Sequence, residues 1–449
     1  MSRNKKARKK REPETARIDS VTHDGKGIAA VAGKKVFVPG ALEGETVVLQ
    51  RRKRRKNYDE AQLLEVLERS DARIEPRCAA FGVCGGCTLQ HLSASDQRSI
   101  KERALRDNLQ RIGQVEPGRW LDPLFAGGES GGWSYRRRAR LAVKDVAAKG
   151  RVLVGFREAH APYVCDMHRC EVLSAPVGEL IDPLSDLVGR LSIRARLPQI
   201  EVAVADNVTE LVFRVLDPPS AADRVAFSEF AAAHAVQISL QTGGPGTVSP
   251  LEQSARTEEL CYSLPEFDLE IAFEPTDFVQ VNGAVNRLMV STAIDHLDVS
   301  SEHRVLDLYC GIGNFSLALA RKAAFVLAIE GEQLQVERGR YNADRNSIDN
   351  CDFRKADLAK IEGTESWLTQ AWDRVLLDPA RSGAQEIVAN MSTIGASRVV
   401  YISCHPGTLA RDAGVLVEEQ GYELEAAGII DMFPHTGHVE SIAVFEKVA

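Results

Sequence analysis

Cys404 closes an unbroken apolar run, VVYISC, and is followed at once by HPGTLARD, a tight turn that opens a helix. A thiol at the carboxyl end of a parallel strand faces the crevice where open α/β sheets hold their ligands. Upstream, DLYCGIGNF (residues 307–315) reads as a strand running into a glycine-rich turn. Gly311 and Gly313 let the backbone bend there and approach a ligand closely. The thiol offers a nucleophile, and the turn offers a seat for a nucleotide-like cofactor. Together they predict an enzyme that attacks its substrate covalently while a cofactor donates a group. A third set, Cys78, Cys84 and Cys87, forms C-x5-C-x2-C with glycines beside the ligand positions. That density points to a metal site, and spacing alone leaves zinc and an iron–sulfur cluster open.

These residues need elements to place them. From about residue 270 the strands RVLDLYC, AFVLAIE, CDFRKAD, WDRVLLDP and SRVVYISC alternate with helices such as NFSLALARK and EQLQVERGRYNADRN. Such alternation implies a doubly wound parallel sheet with right-handed crossovers. YELEAAGIIDMF and ESIAVFEKV read as a closing strand pair. Between Glu14 and Glu68, short β-runs are separated by Asp-Gly, Ala-Gly and Pro-Gly turns. Four or five such strands predict a small barrel of the kind that binds oligonucleotides, with RRKRRK (residues 51–56) on its rim. SASDQRSIKERALRDNLQRIG predicts an amphipathic helix capped by Ser93 or Ser95 and stopped by Gly113. Residues 133–270 read as an α+β domain, and no internal repeat is found.

The chain has 449 residues and a formal charge of −7, yet its basic residues cluster. RNKKARKKR near the start, RRKRRK and WSYRRRAR (residues 133–140) are local positive patches suited to a phosphate backbone. Trp133 and Tyr135, interleaved with arginines, suggest base stacking on single-stranded RNA. No apolar stretch is long enough to span a membrane, and the basic start leads into no apolar signal region. A cytoplasmic, membrane-free protein is expected. Nine cysteines without an export signal suit ligation and catalysis better than disulfides.

Ser316 stands where the dinucleotide fingerprint has its third glycine, which argues against NAD. Glu330 ends the next strand, where a carboxylate can accept both ribose hydroxyls; Asp357 follows the third strand, within reach of an adenine amine. With DPAR (378–381) ending the fourth strand, this order resembles S-adenosylmethionine-dependent methyltransferases. FVQVN (278–282), DLYCGIGNF, LLDPARSG, YISCHPGTLARD and FPHTGHVES then occur in the order found in the RNA uracil-5-methyltransferase family, which the chain resembles over nearly its whole length. The leading barrel and cysteine cluster make it similar to the members that act on 23S ribosomal RNA.

The resemblance implies a Rossmann-like methyltransferase domain, an N-terminal OB-like TRAM β-barrel and a central α+β iron–sulfur domain. The expected boundaries are a disordered basic tail (1–12), the barrel (13–72), the central domain (73–92 and 126–270) and the catalytic domain (93–125 and 271–449). It implies methylation of carbon-5 of a 23S rRNA uridine, with Cys404 as nucleophile and Glu440 as base. Gln280, Tyr309, Gly311, Asn314, Glu330, Asp357 and Asp378 would form the S-adenosylmethionine site, Asp378 touching cofactor, target base or both. Cys78, Cys84, Cys87 and Cys170 would hold a 4Fe–4S cluster, Cys165 and His168 being rivals for the fourth place. Cys310, inside the glycine turn, reads as packing rather than as a second nucleophile. The expected partner is 23S rRNA with the target base flipped from a single-stranded or refolded loop, bound by a monomer. The alternatives are a transfer RNA uracil-5-methyltransferase and a non-catalytic RNA-binding iron–sulfur protein.

Overall fold

The structure is a computed structural model and describes residues 12–448 apart from 128–131, 252–257 and 362. The expected basic tail therefore lies outside the described residues, except for its last position. Among those described, four β-sheets carry the chain.

The first sheet uses β1 (Glu14–Arg17), β2 (Ser20–Val21), β3 (Lys26–Val31), β4 (Lys34–Pro39), β5 (Thr46–Arg54) and β6 (Tyr58–Glu68). Alternate residues, Val36 and Val38 on β4 and Val47 and Leu49 on β5, point inward and are fully buried. The strand order is β1-β5-β6-β4-β3-β2, with β4 and β6 parallel and the other pairs antiparallel. Six strands thus form a curled half-barrel, where alternation alone predicted four or five; β1 and β2 are too short to announce themselves. The basic run at 51–56 is not uniform. Arg51 is drawn into the fold, 2.9 Å from both Glu14 and the buried Asp59, which Lys34 also meets at 2.6 Å. Arg52 to Lys56 remain exposed.

α1 (Ala94–Asn108) starts at Ser93, whose Oγ accepts the Asp96 amide at 3.1 Å. The helix widens into one π-turn, and Gln114, at φ 54°, reverses the chain. The helical stretch ends at Gly113, as expected, although the left-handed cap is Gln114. Gly113 lets the turn lie flat on the segment at Ala410, where a Cβ would meet the carbonyl oxygen at 2.5 Å. β7 (Arg119–Trp120) then joins the outer edge of the largest sheet.

The central domain contains β8 (Arg138–Val146), β9 (Arg151–Gly155), α2 (Ile181–Arg190), β10 (Gln199–Val204), β11 (Thr209–Arg214), α3 (Ala221–His234), β12 (Gln237–Gln241) and β13 (Val248–Pro250). Its sheet order is β13-β12-β11-β10-β8-β9, and only β11 and β12 run parallel. A capping box between Ser220 and Asp223 starts α3. The cysteine-rich segment docks at this domain through a bridge between Cys84 and Glu158.

A hairpin of β14 (Leu260–Leu264) and β15 (Leu269–Phe273) leads to the last domain. There follow α4 (Gly283–Leu297), β16 (Arg304–Leu308), α5 (Ser316–Ala320), β17 (Phe325–Glu330), α6 (Gln333–Arg345), β18 (Cys351–Lys355), β19 (Arg374–Leu377), α7 (Gln385–Val388), α8 (Met391–Ile394), β20 (Arg398–Ser403), α9 (Pro406–Glu418), β21 (Tyr422–Ile430) and β22 (Glu440–Lys447). The sheet runs β18-β17-β16-β19-β20-β22-β21-β7, with β16 to β20 parallel. Winding proceeds outward from β16 to β18, then restarts on the other side at β19. The switch point between β16 and β19 is where such sheets hold ligands. Among the described residues no helix is long and apolar enough to cross a membrane.

Candidate active site and cysteine centre

Strand register brings the two expected catalytic residues together. β20 and β22 are antiparallel, with Ser403 opposite Ser441, so Cys404 and Glu440, each one residue beyond that pair, emerge at the same end of it, and Glu440 acts electrostatically on the thiol. β19 ends beside them at Asp378, whose amide donates to the Leu308 carbonyl at 3.4 Å. Three acids thus share one corner. Burial, then Glu440 and Asp378, push the Cys404 thiol up to about 11, while Arg381 opposes them. Glu440 is buried, and burial followed by Asp378 raises its carboxyl well above the ordinary range, again against Arg381. Burial lifts Asp378 to about 7. The site is therefore set up to keep protons near neutrality, ready to move them between thiol and carboxyls.

The thiol's surroundings are built by local capping. Pro406 begins α9, and His405 caps it, its Nδ1 accepting the Thr408 amide at 3.2 Å. Thr408 Oγ1 also donates to the Arg381 carbonyl at 3.2 Å, tying the DPAR turn to this cap. Arg381 Nη2 lies 3.1 Å from His438 Nδ1, and burial first, then Arg381, brings that imidazole down to about 4. A neutral His438 can accept from the guanidinium.

The glycine turn sits at the switch point. Tyr309, Gly311 and Gly313 all take positive φ, at 66°, 54° and 97°. A Cβ at Gly313 would press Phe353 at 3.0 Å, so close packing as well as backbone freedom selects glycine there. Glu330, at the end of β17, accepts the amides of Gly311 at 3.1 Å, Gly331 at 2.7 Å and Glu332 at 3.1 Å. Asn314 exchanges side-chain hydrogen bonds with Asn286 at 2.9 and 3.0 Å and accepts from the Tyr262 hydroxyl at 2.9 Å. Asn286 and Tyr262 line a cavity that also takes in Gln280 and Arg137. Asp357 is exposed beyond β18 and accepts the Ala359 amide at 3.1 Å. The expected cofactor residues thus ring the carboxyl ends of β16 to β19, with Gln280 arriving from the segment before α4. Cys310 is buried in the apolar core, as its packing role requires.

The loop between β21 and β22, which delivers Glu440, is held by other parts of the chain. Lys101 on α1 is buried, 2.7 Å from Asp431 and 2.9 Å from the Phe433 carbonyl. Gln97, one turn earlier, accepts the His435 amide at 2.7 Å and lies 3.2 Å from His435 Nδ1. The Tyr135 hydroxyl donates to the Pro434 carbonyl at 3.0 Å, and the Trp133 ring stacks on His435 at 3.7 Å. Neither aromatic is the open stacking platform expected from the WSYRRRAR run; both are committed to this junction. From the half-barrel, the β2–β3 turn at Asp24 packs against Gly437, where a Cβ would lie 2.5 Å from Asp24 Cα.

Cys78, Cys84, Cys87 and Cys170 line one cavity with Phe81, Phe156 and Met167. Burial raises the thiols of Cys84, to about 12, and Cys87, to about 11, and moves Cys170 in the same direction. Among the described residues no three His, Cys, Asp or Glu side chains converge tightly enough for a metal ion. Cys165 is buried beside Cys84 but does not line the cavity, and His168 is turned to Asp182 at 2.9 Å.

Sequence reasoning did not single out Asp307, Arg381, His438 or Asn286. Asp307 is fully buried, accepts from Ser316 Oγ at 2.5 Å and is raised to about 7, chiefly by burial. Ser316, in the third-glycine position, was the available signal. Arg381 and His438 lie inside LLDPARSG and FPHTGHVES, but nothing local in either stretch shows that they meet.

A family profile described as tRNA (Uracil-5-)-methyltransferase matches residues 256–448. Over 438 residues the chain is 49% identical to a Nitrosococcus oceani protein named 23S rRNA (uracil(1939)-C(5))-methyltransferase RlmD, covering 97% of this chain and 96% of that one. A protein of the same name from Alkalilimnicola ehrlichii is 48% identical over 439 residues, covering 98% of each. The fold is similar to that of the Pyrococcus abyssi tRNA (uracil-54, C5)-methyltransferase in complex with S-adenosyl-L-homocysteine, with a TM-score of 0.73 and 24% identity over 96% of this chain and 99% of that one.

Proposed function

The chain belongs to the family of 23S rRNA (uracil-C5)-methyltransferases, and from that premise we propose that it methylates carbon-5 of a 23S rRNA uridine through a covalent Cys404–uracil adduct. The observation that carries this reading is the strand register that brings Cys404 and Glu440 out at one end of the β20–β22 pair, with Asp378 and the glycine turn at the carboxyl ends of the neighbouring strands.

Carbon-5 of uracil is a weak nucleophile. The Cys404 thiolate adds to carbon-6, and the displaced π electrons leave an enolate with electron density on carbon-5. Bound S-adenosylmethionine supplies a sulfonium methyl for that carbon to take. Glu440 then removes the carbon-5 proton, the carbon-6–sulfur bond breaks, and the thiolate leaves. Burial makes Glu440 basic enough for this task. Arg381, close to both groups, stabilises the anionic form of each. Glu330 would accept hydrogen bonds from the ribose hydroxyls of the cofactor, and Gln280, Tyr309, Gly311, Asn314, Asp357 and Asp378 would complete its site. The target base must leave its stack to reach Cys404, at a cost of a few kcal/mol, so single-stranded or refolded RNA is the favoured substrate. A monomer in the cytoplasm suffices for this chemistry.

The four cavity-lining cysteines fit a 4Fe–4S cluster. Four thiols lining one cavity are a donor set that both zinc and such a cluster accept, and the family resemblance favours the cluster. Cys78, Cys84, Cys87 and Cys170 would be its ligands, and the methyl transfer needs no electron from it.

Ribosomal RNA carrying 5-fluorouridine tests the reading. Fluorine cannot leave as a proton does, so the wild-type protein should become covalently bound to RNA in the presence of S-adenosylmethionine. Cys404→Ala should give no adduct; equal adduct from both proteins would sink the mechanism.

A further inference from the structure

We propose that His435 is the positioning residue that sets Glu440 for the proton-abstraction half of the reaction, leaving thiol addition largely untouched. This role presupposes the covalent mechanism above. The two catalytic groups are held differently. Cys404 is held from its own strand: β20 precedes it and the His405 cap follows. Glu440 opens β22, and its approach is fixed by residues 431–439, which are held by α1 and by the segment before β8.

Those contacts converge on one residue. His435 is buried and has φ 65°, a left-handed backbone that a residue with a Cβ adopts only under restraint. Its amide donates to Gln97 Oε1 at 2.7 Å, and its ring nitrogen lies 3.2 Å from Gln97 Nε2. Its carbonyl accepts the amides of Thr88 at 2.9 Å and Leu89 at 3.0 Å, the two residues directly after Cys87. Its ring stacks on Trp133 at 3.7 Å, and the Arg77 guanidinium lies 5.3 Å from that indole on the cysteine-rich segment's side. Helix α1, the strand-like segment before β8 and the cysteine segment therefore all grip this one peptide unit. So dense an anchorage would be a costly way to hold an idle loop; a loop whose last residue must meet a carbon-5 proton has reason for it.

The geometry also says which step should suffer. Releasing His435 frees the loop that leads to Glu440, while β20, Ser403 and the α9 cap still present the thiol. The adduct should form and then stall. The experiment compares wild-type protein with His435→Ala and His435→Asn, full length and with the metal centre retained, on ribosomal RNA containing either uridine or 5-fluorouridine. For His435→Ala, kcat should fall on the order of 10- to 100-fold, as misplacement of a reacting group by about 1 Å does. KM for RNA should change little, and covalent protein–RNA adduct should accumulate on ordinary uridine RNA. The 5-fluorouridine adduct should still form at close to the wild-type rate. His435→Asn tolerates the left-handed backbone and keeps an acceptor for Gln97, so it should recover much of kcat. Should His435→Ala fail to fold, Gln97→Met removes the α1 hydrogen bonds to His435 with the loop sequence intact and must show the same partition. A wild-type ratio of adduct to turnover in the folded variants, or a loss appearing wholly in KM, overturns the proposal. Absence of any 5-fluorouridine adduct with wild-type protein would instead overturn the mechanism on which it stands.

Discussion

Glu440 and Asp378 make the Cys404 thiol harder to ionise, Asp378 does the same to Glu440, and Arg381 works against both shifts. With the thiol near 11, little of it is thiolate at neutral pH in the free protein. Formation of the 5-fluorouridine adduct should therefore rise by up to about tenfold per pH unit between about pH 6 and 9, since the thiolate is the nucleophile. The sign follows from the thiol's pKa lying above that window: each step up in pH exposes more thiolate. Glu440→Gln removes one acidic neighbour, lowers the thiol pKa and abolishes the base. Its adduct should form faster than wild type at any pH where Glu440 is ionised in the parent protein, and then persist on ordinary uridine RNA, measurable as a shifted band on a denaturing gel. Slower adduct formation in this variant would contradict the electrostatics. Cys404 was readable as a candidate nucleophile from its place at a strand end, but the proposed role of Glu440 came only through motif resemblance, because a buried strand-end carboxylate has no local signature. The fact that they meet depends on a register between β20 and β22 that no window of sequence contains.

At the scale of elements, the parallel sheet was legible because its strands are apolar runs cut by glycine turns, and the helices between them keep their period. The junctions were not. Trp133 and Tyr135 stand among arginines and read as an RNA platform, yet a tertiary partner, the 433–435 segment, takes them both. Arg51 likewise looks like a phosphate contact in its run but completes the half-barrel around Asp59. Gly437 belongs to the same class of hidden junction. Its neighbours are the Cα of Asp24 and the carbonyl oxygen of His23, backbone atoms that cannot swing aside. Gly437→Ala should therefore push the β2–β3 turn off the catalytic loop, costing about 1–3 kcal/mol as overpacking does. Thermal denaturation measures the loss, and the variant's kcat should fall with it. An alanine variant with wild-type stability and rate would mean that the turn yields without consequence.

Across the whole molecule, the half-barrel presents two separate surfaces at opposite ends of it, one proposed to brace the catalytic loop and the other to meet RNA. The β2–β3 turn touches the catalytic loop at Gly437, and Gly25 packs against the Thr88 carbonyl just after the cysteine segment. The end of β5 and the turn after it instead present Arg52, Lys53, Arg54 and Arg55 to solvent, where their surface ion pairs with Glu60 and Asp59 are weak enough to yield to phosphate. Net charge conceals this: the chain is acidic overall, so attraction to RNA must come from such patches. Replacing these four residues with glutamine should weaken RNA binding and flatten its salt dependence, by roughly 0.7 in the log–log slope for each single-strand phosphate no longer neutralised. Turnover at saturating RNA should stay near wild type, because the turn on Gly437 is intact. Binding isotherms from low to moderate salt, paired with kcat, read both quantities on one preparation. If kcat falls in parallel with affinity while the fold holds, the charged end also shapes the active site, and the two jobs of the half-barrel are one.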